Sequence, residues 1–296
     1  MSPSGSIGSK PNSGAVRGAL CDEIAGALQA LWERRPPSDE AMHRVRKDLK
    51  RARAALRLLR DAVGDVAYSQ ENVELRDAAR PLSGVRDAAV GLEVVRELLE
   101  REKKPARRAM LLEVRRTLRE ERSRARLRLL GGKRLAAIEY SLQDAGERAE
   151  YWRFPVHDAP LLRAGFERVY RKGRKTLKSA RTEGSAKSLH ESRKQVKYLQ
   201  QALSIAADGG SRRLKKLSKR AAKVADHLGD DHDLAALEAK ILALPLQSKA
   251  ERKLVAHIEA RRAELQKKAL KLARRVYRRK PGAFVRKLLP GRLGRA

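Results

Sequence analysis

The sequence predicts an all-α protein built from two similar halves. Three observations predict it. Apolar residues recur at helical spacing along nearly the whole chain, no segment reads convincingly as a strand, and two blocks of sequence return at almost the same offset. Aromatic residues make up only 4% of the chain, so Leu, Ala and Val must carry the core, as suits helix packing.

The elements follow in order. Residues 1–14 are expected to be a disordered lead-in, and a first helix is predicted over about 16–32, with Leu20, Ile24, Leu28 and Leu31 inward. Pro36-Pro37 breaks it, and Ser38 or Asp39 can cap the next helix. That helix, about 39–63, has the clearest pattern: Met42, Val45, Leu49, Ala52, Leu56, Leu59 and Val63 form one apolar seam. Further helices are predicted at about 71–80, 86–100, 105–130, 132–149, 160–180, 186–206, 211–228, 232–243 and 248–279. The expected breaks are Gly64, Pro81, Gly131-Gly132, the 152–160 stretch, Gly184, Gly209-Gly210, Gly229 and Pro245. One domain over 15–290 is expected, made of repeats at about 15–151 and 160–290, a linker at 152–159 and a basic tail at 291–296.

The repeat is explicit. His43-Arg-Val-Arg-Lys-Asp-Leu-Lys50 and His190-Glu-Ser-Arg-Lys-Gln-Val-Lys197 share the pattern H-x-x-R-K-x-φ-K, 147 residues apart (from 43 to 190). Leu82-Ser-Gly-Val-Arg-Asp87 and Leu228-Gly-Asp-Asp-His-Asp233 recur 146 residues apart (from 82 to 228). Two blocks at nearly one offset are better evidence of duplication than either alone.

Charge points to a partner. With 69 Lys and Arg against 36 Asp and Glu, the formal charge is +33. Such an excess makes a folded domain repel itself, and its usual reason is a polyanion. On the 39–63 helix, His43, Arg46, Lys50, Arg53, Arg57 and Arg60 each follow a seam residue by one position, and Lys47 widens the row. No acidic residue interrupts it, and at 1.5 Å per residue it extends roughly 25 Å. The second copy repeats the phase with His190, Arg193, Lys194 and Lys197. Similar rows run through Arg213, Lys216, Arg220 and Lys223, through Arg115, Arg119, Arg122 and Arg126, and through Arg168, Arg171, Lys175 and Lys178. A single basic row on a long helix is ordinarily a solvated face. Rows that are acid-free, at the edge of the core and duplicated suit a phosphate chain. Arg grips phosphate with paired hydrogen bonds, Lys adds a mobile charge, and counterion release drives association.

The two H-x-x-R-K-x-φ-K helices, each followed by an L-x-x-x-[R/H]-D turn, resemble the CHAD family, the conserved histidine α-helical domain. The resemblance covers about residues 15–290. It implies two pseudo-symmetric helical bundles around a central basic groove or pore that binds inorganic polyphosphate, with recruitment to polyphosphate granules. By position it implies binding by His43, Arg46, Lys47 and Lys50, and by His190, Arg193, Lys194 and Lys197. No fused triphosphate-hydrolysing domain is visible, as in a stand-alone member. There are departures: Ser83 stands where glycine is expected, His232 where arginine is expected, and the helix before the first turn carries Glu71, Glu74 and Asp77.

Other function classes fit less well. Single-strand nucleic-acid binders interleave aromatics for stacking, and these rows contain almost none, so a nucleic-acid-binding basic helical protein stands as the alternative reading, with weak, nonspecific association as a by-product of charge. An enzyme of phosphate metabolism lacks a Walker loop, kinase signature or nucleophile elbow, so no catalytic residue and no cofactor are expected. The cluster His227-Leu-Gly-Asp-Asp-His-Asp233 tempts a metal assignment, but a glycine-capped helix end before an Asp-rich helix start explains it, and no metal is expected. His43 and His190 suit either phosphate ligation or helix contacts, and the sequence leaves both open. A single cysteine, Cys21, rules out an internal disulfide. The N-terminus lacks the basic start and apolar run of a signal peptide and no membrane-length apolar run follows, so the expected location is the cytoplasm, at polyphosphate granules, away from membranes.

Overall fold

The computed structural model describes residues 12–154, 159–207, 211–244 and 248–289. Among them the order is α1 (Ser13–Trp32), α2 (Asp39–Val63), α3 (Asp65–Ala79), α4 (Ser83–Arg101), α5 (Pro105–Leu130), α6 (Arg134–Glu150), α7 (Ala159–Glu183), α8 (Ala186–Ala207), α9 (Arg212–Leu242), α10 (Lys249–Val276) and α11 (Pro281–Leu288). No strand occurs among the described residues. The all-α class is therefore right.

Local chemistry fixes the ends. Ser38 caps α2 by accepting from the Ala41 amide at 3.1 Å, and Asp39 and Glu40 sit in its first turn, where the helix dipole favours acid. Gly64 ends α2 at φ 85°, a backbone state that L side chains resist, and α3 starts at the next residue. Four predicted boundaries need correction. Ser13 and Gly14 belong to α1, not to the lead-in, because the Asn12 side chain caps the helix on the Ala15 amide at 2.7 Å. α3 begins at Asp65, not near 71. Gly229 does not break a helix: α9 runs through it, and the glycine is fully enclosed. The last predicted helix is two, α10 and α11, with Pro281 in the first turn of α11. The rest of the lead-in (1–11), half of the linker (155–158), the Gly209-Gly210 and Pro245 breaks and the 291–296 tail lie outside the described residues.

α2 lies at the centre, packed on α1, α3, α7 and α8. Its seam residues Met42, Val45, Leu49, Ala52, Leu56 and Leu59 are buried as predicted, and Ala54, Ala55 and Leu58 are buried as well, because helices from the second half cover that side. The closest approach is at Gly165 of α7, where an added Cβ would lie 2.5 Å from the carbonyl oxygen of Leu58. Only glycine permits that crossing. Buried apolar residues form two clusters. The larger joins α1, α2 and α6 to α7, α8 and the first part of α9. The smaller joins α4 and α5 to α10 and the second part of α9. Both α4, through Val85 and Val95, and α9, through Val224 and Leu237, contribute to each cluster.

Candidate polyanion-binding site

The seams that bury α2 and α8 also place their basic rows. Every third or fourth residue must enter the core, so the residues one position later are held at its edge. Arg46, Arg53 and Arg57 are accordingly half-buried, whereas His43, Lys47 and Lys50 are open to water. On α8, Arg193, Lys194 and Lys197 are half-buried and His190 is exposed.

The two rows meet at their lysines. Lys50 is open to water along part of its length and yet has protein packed around it. Its ammonium is held down to about pKa 8, first by that crowding, then by repulsion from Arg46, Lys197 and Arg193, with Asp87 partly relieving it. Lys197 is lowered in the same way by burial and then Arg193, while Asp226 and Asp233 oppose the shift and Arg86 adds to it. One cationic centre thus draws on four helices: Arg46 and Lys50 from α2, Arg86 from α4, Arg193 and Lys197 from α8, and the carboxylates of α9.

Equivalent residues play equivalent parts. Arg46 reaches Asp87 at 3.6 Å, too long for a hydrogen bond, and its Nη1 is buried without a partner among the described residues. Arg193 lies against Gly229, where a Cβ would come 3.4 Å from its Nη2, and its Nε is likewise buried and unpartnered. Burial lowers Arg46, the Asp87 carboxylate opposes that shift, and Arg86 adds to it. His43 is lowered by burial and then by Arg86, Lys50, Arg46 and Lys47. His190 is lowered by burial and then by His232, whose ring centroid is 5.0 Å away. Arg86 and His232 occupy matching positions of the repeated turn, so each half sets its motif histidine beside the same position.

Other candidates are differently placed. Arg53 donates to Asn72 Oδ1 at 3.2 and 3.1 Å, and Arg57 stacks on the Tyr198 ring at 3.8 Å, bridging the halves. Lys194 is paired with Glu191 at 2.6 Å. Arg213, Lys216, Arg220 and Lys223 stand exposed on α9, and Lys216, Arg220 and Lys223 line a shallow basic groove of about 420 Å³ with Arg212, Lys215 and Lys219. The α5 row stands apart: Arg122 and Arg126 are engaged by Asp39, and Arg126 also by the Pro37 carbonyl at 3.0 Å. Arg119 lines the cleft beside them, and Arg115 is half-buried. On α7, Arg168 pairs with Asp61 and Arg171 with Glu167.

The 227–233 cluster is spread around α9 instead of converging. Asp231 is buried and accepts from Gln266 at 2.8 Å and from Arg262 at 3.2 Å, His232 faces His190, and Asp233 faces Lys197. Its explanation as a helix end and a helix start is corrected, since the helix is continuous there. Among the described residues no three His, Cys, Asp or Glu are grouped to hold a metal, and no helix is long and apolar enough to cross a membrane. Site residues that sequence reasoning passed over are Arg86, Asp87, His232, Asp233, Asn72 and Tyr198. The repeated turn carried the signal for the first four. Nothing in the sequence pairs Asn72 or Tyr198 with an arginine so far away.

The family model for the CHAD domain matches residues 19–242. No curated protein matches. Among solved structures, PptA from Streptomyces chartreusis is similar with a TM-score of 0.66 and 17% identity, over 91% of this chain and 100% of that one. The CHAD domain from the plant Ricinus communis is similar with a TM-score of 0.53 and 20% identity, over 94% of this chain and 91% of that one. Both likenesses cover more of the chain than the family match does and so extend past it into α10. The family match takes in both repeated motifs and both turns, and the chain belongs to the CHAD domain family.

Proposed function

We propose that this protein binds inorganic polyphosphate, without catalysis, in a groove lined by α2 and α8 and closed by α4 and α9. One observation carries the reading. Arg46 and Arg193, equivalent in the two halves, each leave a buried guanidinium N–H without an acceptor, where Lys50 and Lys197 repel one another. An unpaired buried donor and crowded cations are costly, by a few kcal/mol each in general. A chain of phosphates supplies the missing acceptors and the missing negative charge together. The family's link to polyphosphate supports the same ligand, and association with polyphosphate granules follows from it.

The test is a titration of long-chain polyphosphate, duplex DNA and single-stranded RNA at matched, near-physiological salt. Polyphosphate is expected to bind most tightly, with affinity rising steeply with chain length until both rows are spanned. Arg46→Glu with Lys50→Glu, and Arg193→Glu with Lys197→Glu, should each weaken long-chain binding by about a hundredfold, since charged hydrogen bonds are worth about 1.5–3 kcal/mol. The seams stay intact, so helicity should hold. A folded double variant that binds like wild type would refute the shared groove, and a preference for nucleic acid would replace the ligand. Exhaustive chelation should change nothing, because the proposed ligands are cationic side chains.

A further inference from the structure

The repeated turn puts a permanent cation, Arg86, beside His43 in the first half and an imidazole, His232, beside His190 in the second. The geometry points to a proton-dependent phosphate contact at the second-half end of the site: His190 and His232 grip a phosphate together when protonated and loosen when neutral. The inference rests on the polyphosphate reading and adds a regulation to it. The ring centroids are 5.0 Å apart at an interplanar angle of 48°, and His190 and His232 are both exposed. Two imidazolium rings at that separation repel unless an anion bridges them, and an oxyanion between them accepts from both.

The surroundings work in the same direction. His190, exposed but flanked by protein on one side, is held below the ordinary range first by that partial desolvation, then by His232, Lys194 and Arg193, with Glu191 opposing. Glu191 is itself occupied by Lys194 at 2.6 Å and feels Lys172 from α7. On α9, Asp233 faces Lys197, and from α4 Arg86 faces Lys197 as well. The free site therefore disfavours the charged imidazole. A bound polyanion offsets those cations and favours it. Binding then raises the histidine pKa, takes up protons, and tightens as pH falls through the imidazole range. The first-half end lacks this full response, because Arg86 stays charged throughout.

The experiment measures Kd for long-chain polyphosphate at pH 7.5, 6.5 and 5.5 and constant ionic strength, with proton uptake from calorimetry in two buffers of different ionisation enthalpy. In a long polymer only the end groups titrate in this range, so ligand protonation contributes little. Wild type should tighten about tenfold from pH 7.5 to 5.5. His232→Arg installs the first half's own residue. It should bind severalfold tighter at pH 7.5 and lose at least half of the pH response. His190→Gln with His232→Gln should keep only the response of His43. A wild-type profile flat with pH, or a folded His232→Arg protein with the wild-type profile and proton uptake, would overturn the proton-dependent contact and leave the polyphosphate reading standing. Absence of polyphosphate binding at every pH would instead remove that reading.

Discussion

In the first half, the stretch after α2 breaks at Arg80-Pro81-Leu82 into α3 and α4. In the second half the matching stretch is the uninterrupted α9. Proline cannot sit mid-helix without losing a hydrogen bond, so Pro81 explains the break. The charges differ as well. α3 carries Glu71, Glu74 and Asp77, and two of these acids bind Arg148 of α6: Glu71 is buried and takes it in a two-pronged grip at 2.6 and 3.0 Å. The first part of α9 carries Arg212, Arg213, Lys215, Lys216, Lys219, Arg220 and Lys223 with no acid before Asp226. One position in the fold can thus be acidic and internally paired or basic and open. The basic face of α9 is therefore not a requirement of the fold, and a polyanion gives it a reason.

The largest contrast concerns two equivalent glycines, 147 residues apart (from 18 to 165). A Cβ at Gly165 would meet the Leu58 backbone at 2.5 Å, whereas a Cβ at Gly18 meets nothing within 4 Å. Gly165→Ala should cost about 3 kcal/mol or more, since overpacking against a helix backbone has no flexible side chain to yield. Gly18→Ala should gain up to about 1 kcal/mol from helix propensity. Thermal melts of both variants check this, and equal effects would mean that α7 does not cross α2 at this glycine.

Next is the α9 face. Lys216→Glu with Arg220→Glu should weaken long-chain polyphosphate binding about tenfold and make the salt slope shallower by about 1.4, at about 0.7 per lost phosphate contact on a single-stranded polyanion. Gln70→Glu on α3, at the matching level, should change affinity little. If α9 reversal leaves both affinity and slope intact, the basic half of α9 is a solvated face after all.

A smaller effect is expected from Lys50. Its free-state pKa is about 8, below the ordinary lysine value of 10.5, because burial and then Arg46, Lys197 and Arg193 disfavour the ammonium. A bound polyanion raises it again. Well below pH 8 the amine is charged before and after binding, so Lys50 itself adds no pH dependence there. Above pH 8 binding must take up a proton, and affinity should fall severalfold by about pH 9. Lys50→Arg should remove that decline, because arginine stays charged. A decline that survives Lys50→Arg would assign it to another group.

Most of the fold was legible because apolar spacing is a local signal. The 39–63 helix was placed at both ends, since its seam, its Pro-Pro entry and Gly64 all lie within it or at its edge. Gly229 misled because glycine next to Asp-rich sequence looks like a helix end. In the fold the helix runs through it, and Arg193 packs against the glycine. The motif rows were legible from phase alone. Of the partners that hold or face them, Asp87 and His232 were signalled by the repeated turn, whereas Asn72 and Tyr198 come from other helices, and no periodicity announces a contact between helices. The α5 row shows the converse. Its spacing matches that of α2, but Arg122 and Arg126 tie α5 to the start of α2 through Asp39.

The halves also end differently, and this gives the smallest expected effect. The first closes with α6 packed on α1, the second with the short α11 packed on α7. There Phe284 stacks on Tyr170 at 3.8 Å, and the Tyr170 hydroxyl donates to the Val276 carbonyl at 3.1 Å and accepts from the Arg279 amide at 3.2 Å. Arg278, Arg279 and Lys280 form the basic link between α10 and α11. The Arg279 amide donates to Tyr170 and its carbonyl accepts from Arg174, both through backbone, so changing all three to Glu leaves these bonds in place. None of the three is among the strongest influences on Lys50, Lys197, His43 or His190. At physiological salt, charges beyond about 8 Å are largely screened. The triple reversal should therefore weaken polyphosphate binding by no more than about threefold, through the overall field. Run beside Arg46→Glu with Lys50→Glu, it controls for charge count, since it reverses one more cation than that pair does. If the link variant loses as much affinity as the α2 variant, net charge and not a shared groove governs binding, and the meeting of the two rows at Lys50 and Lys197 has no special part in it.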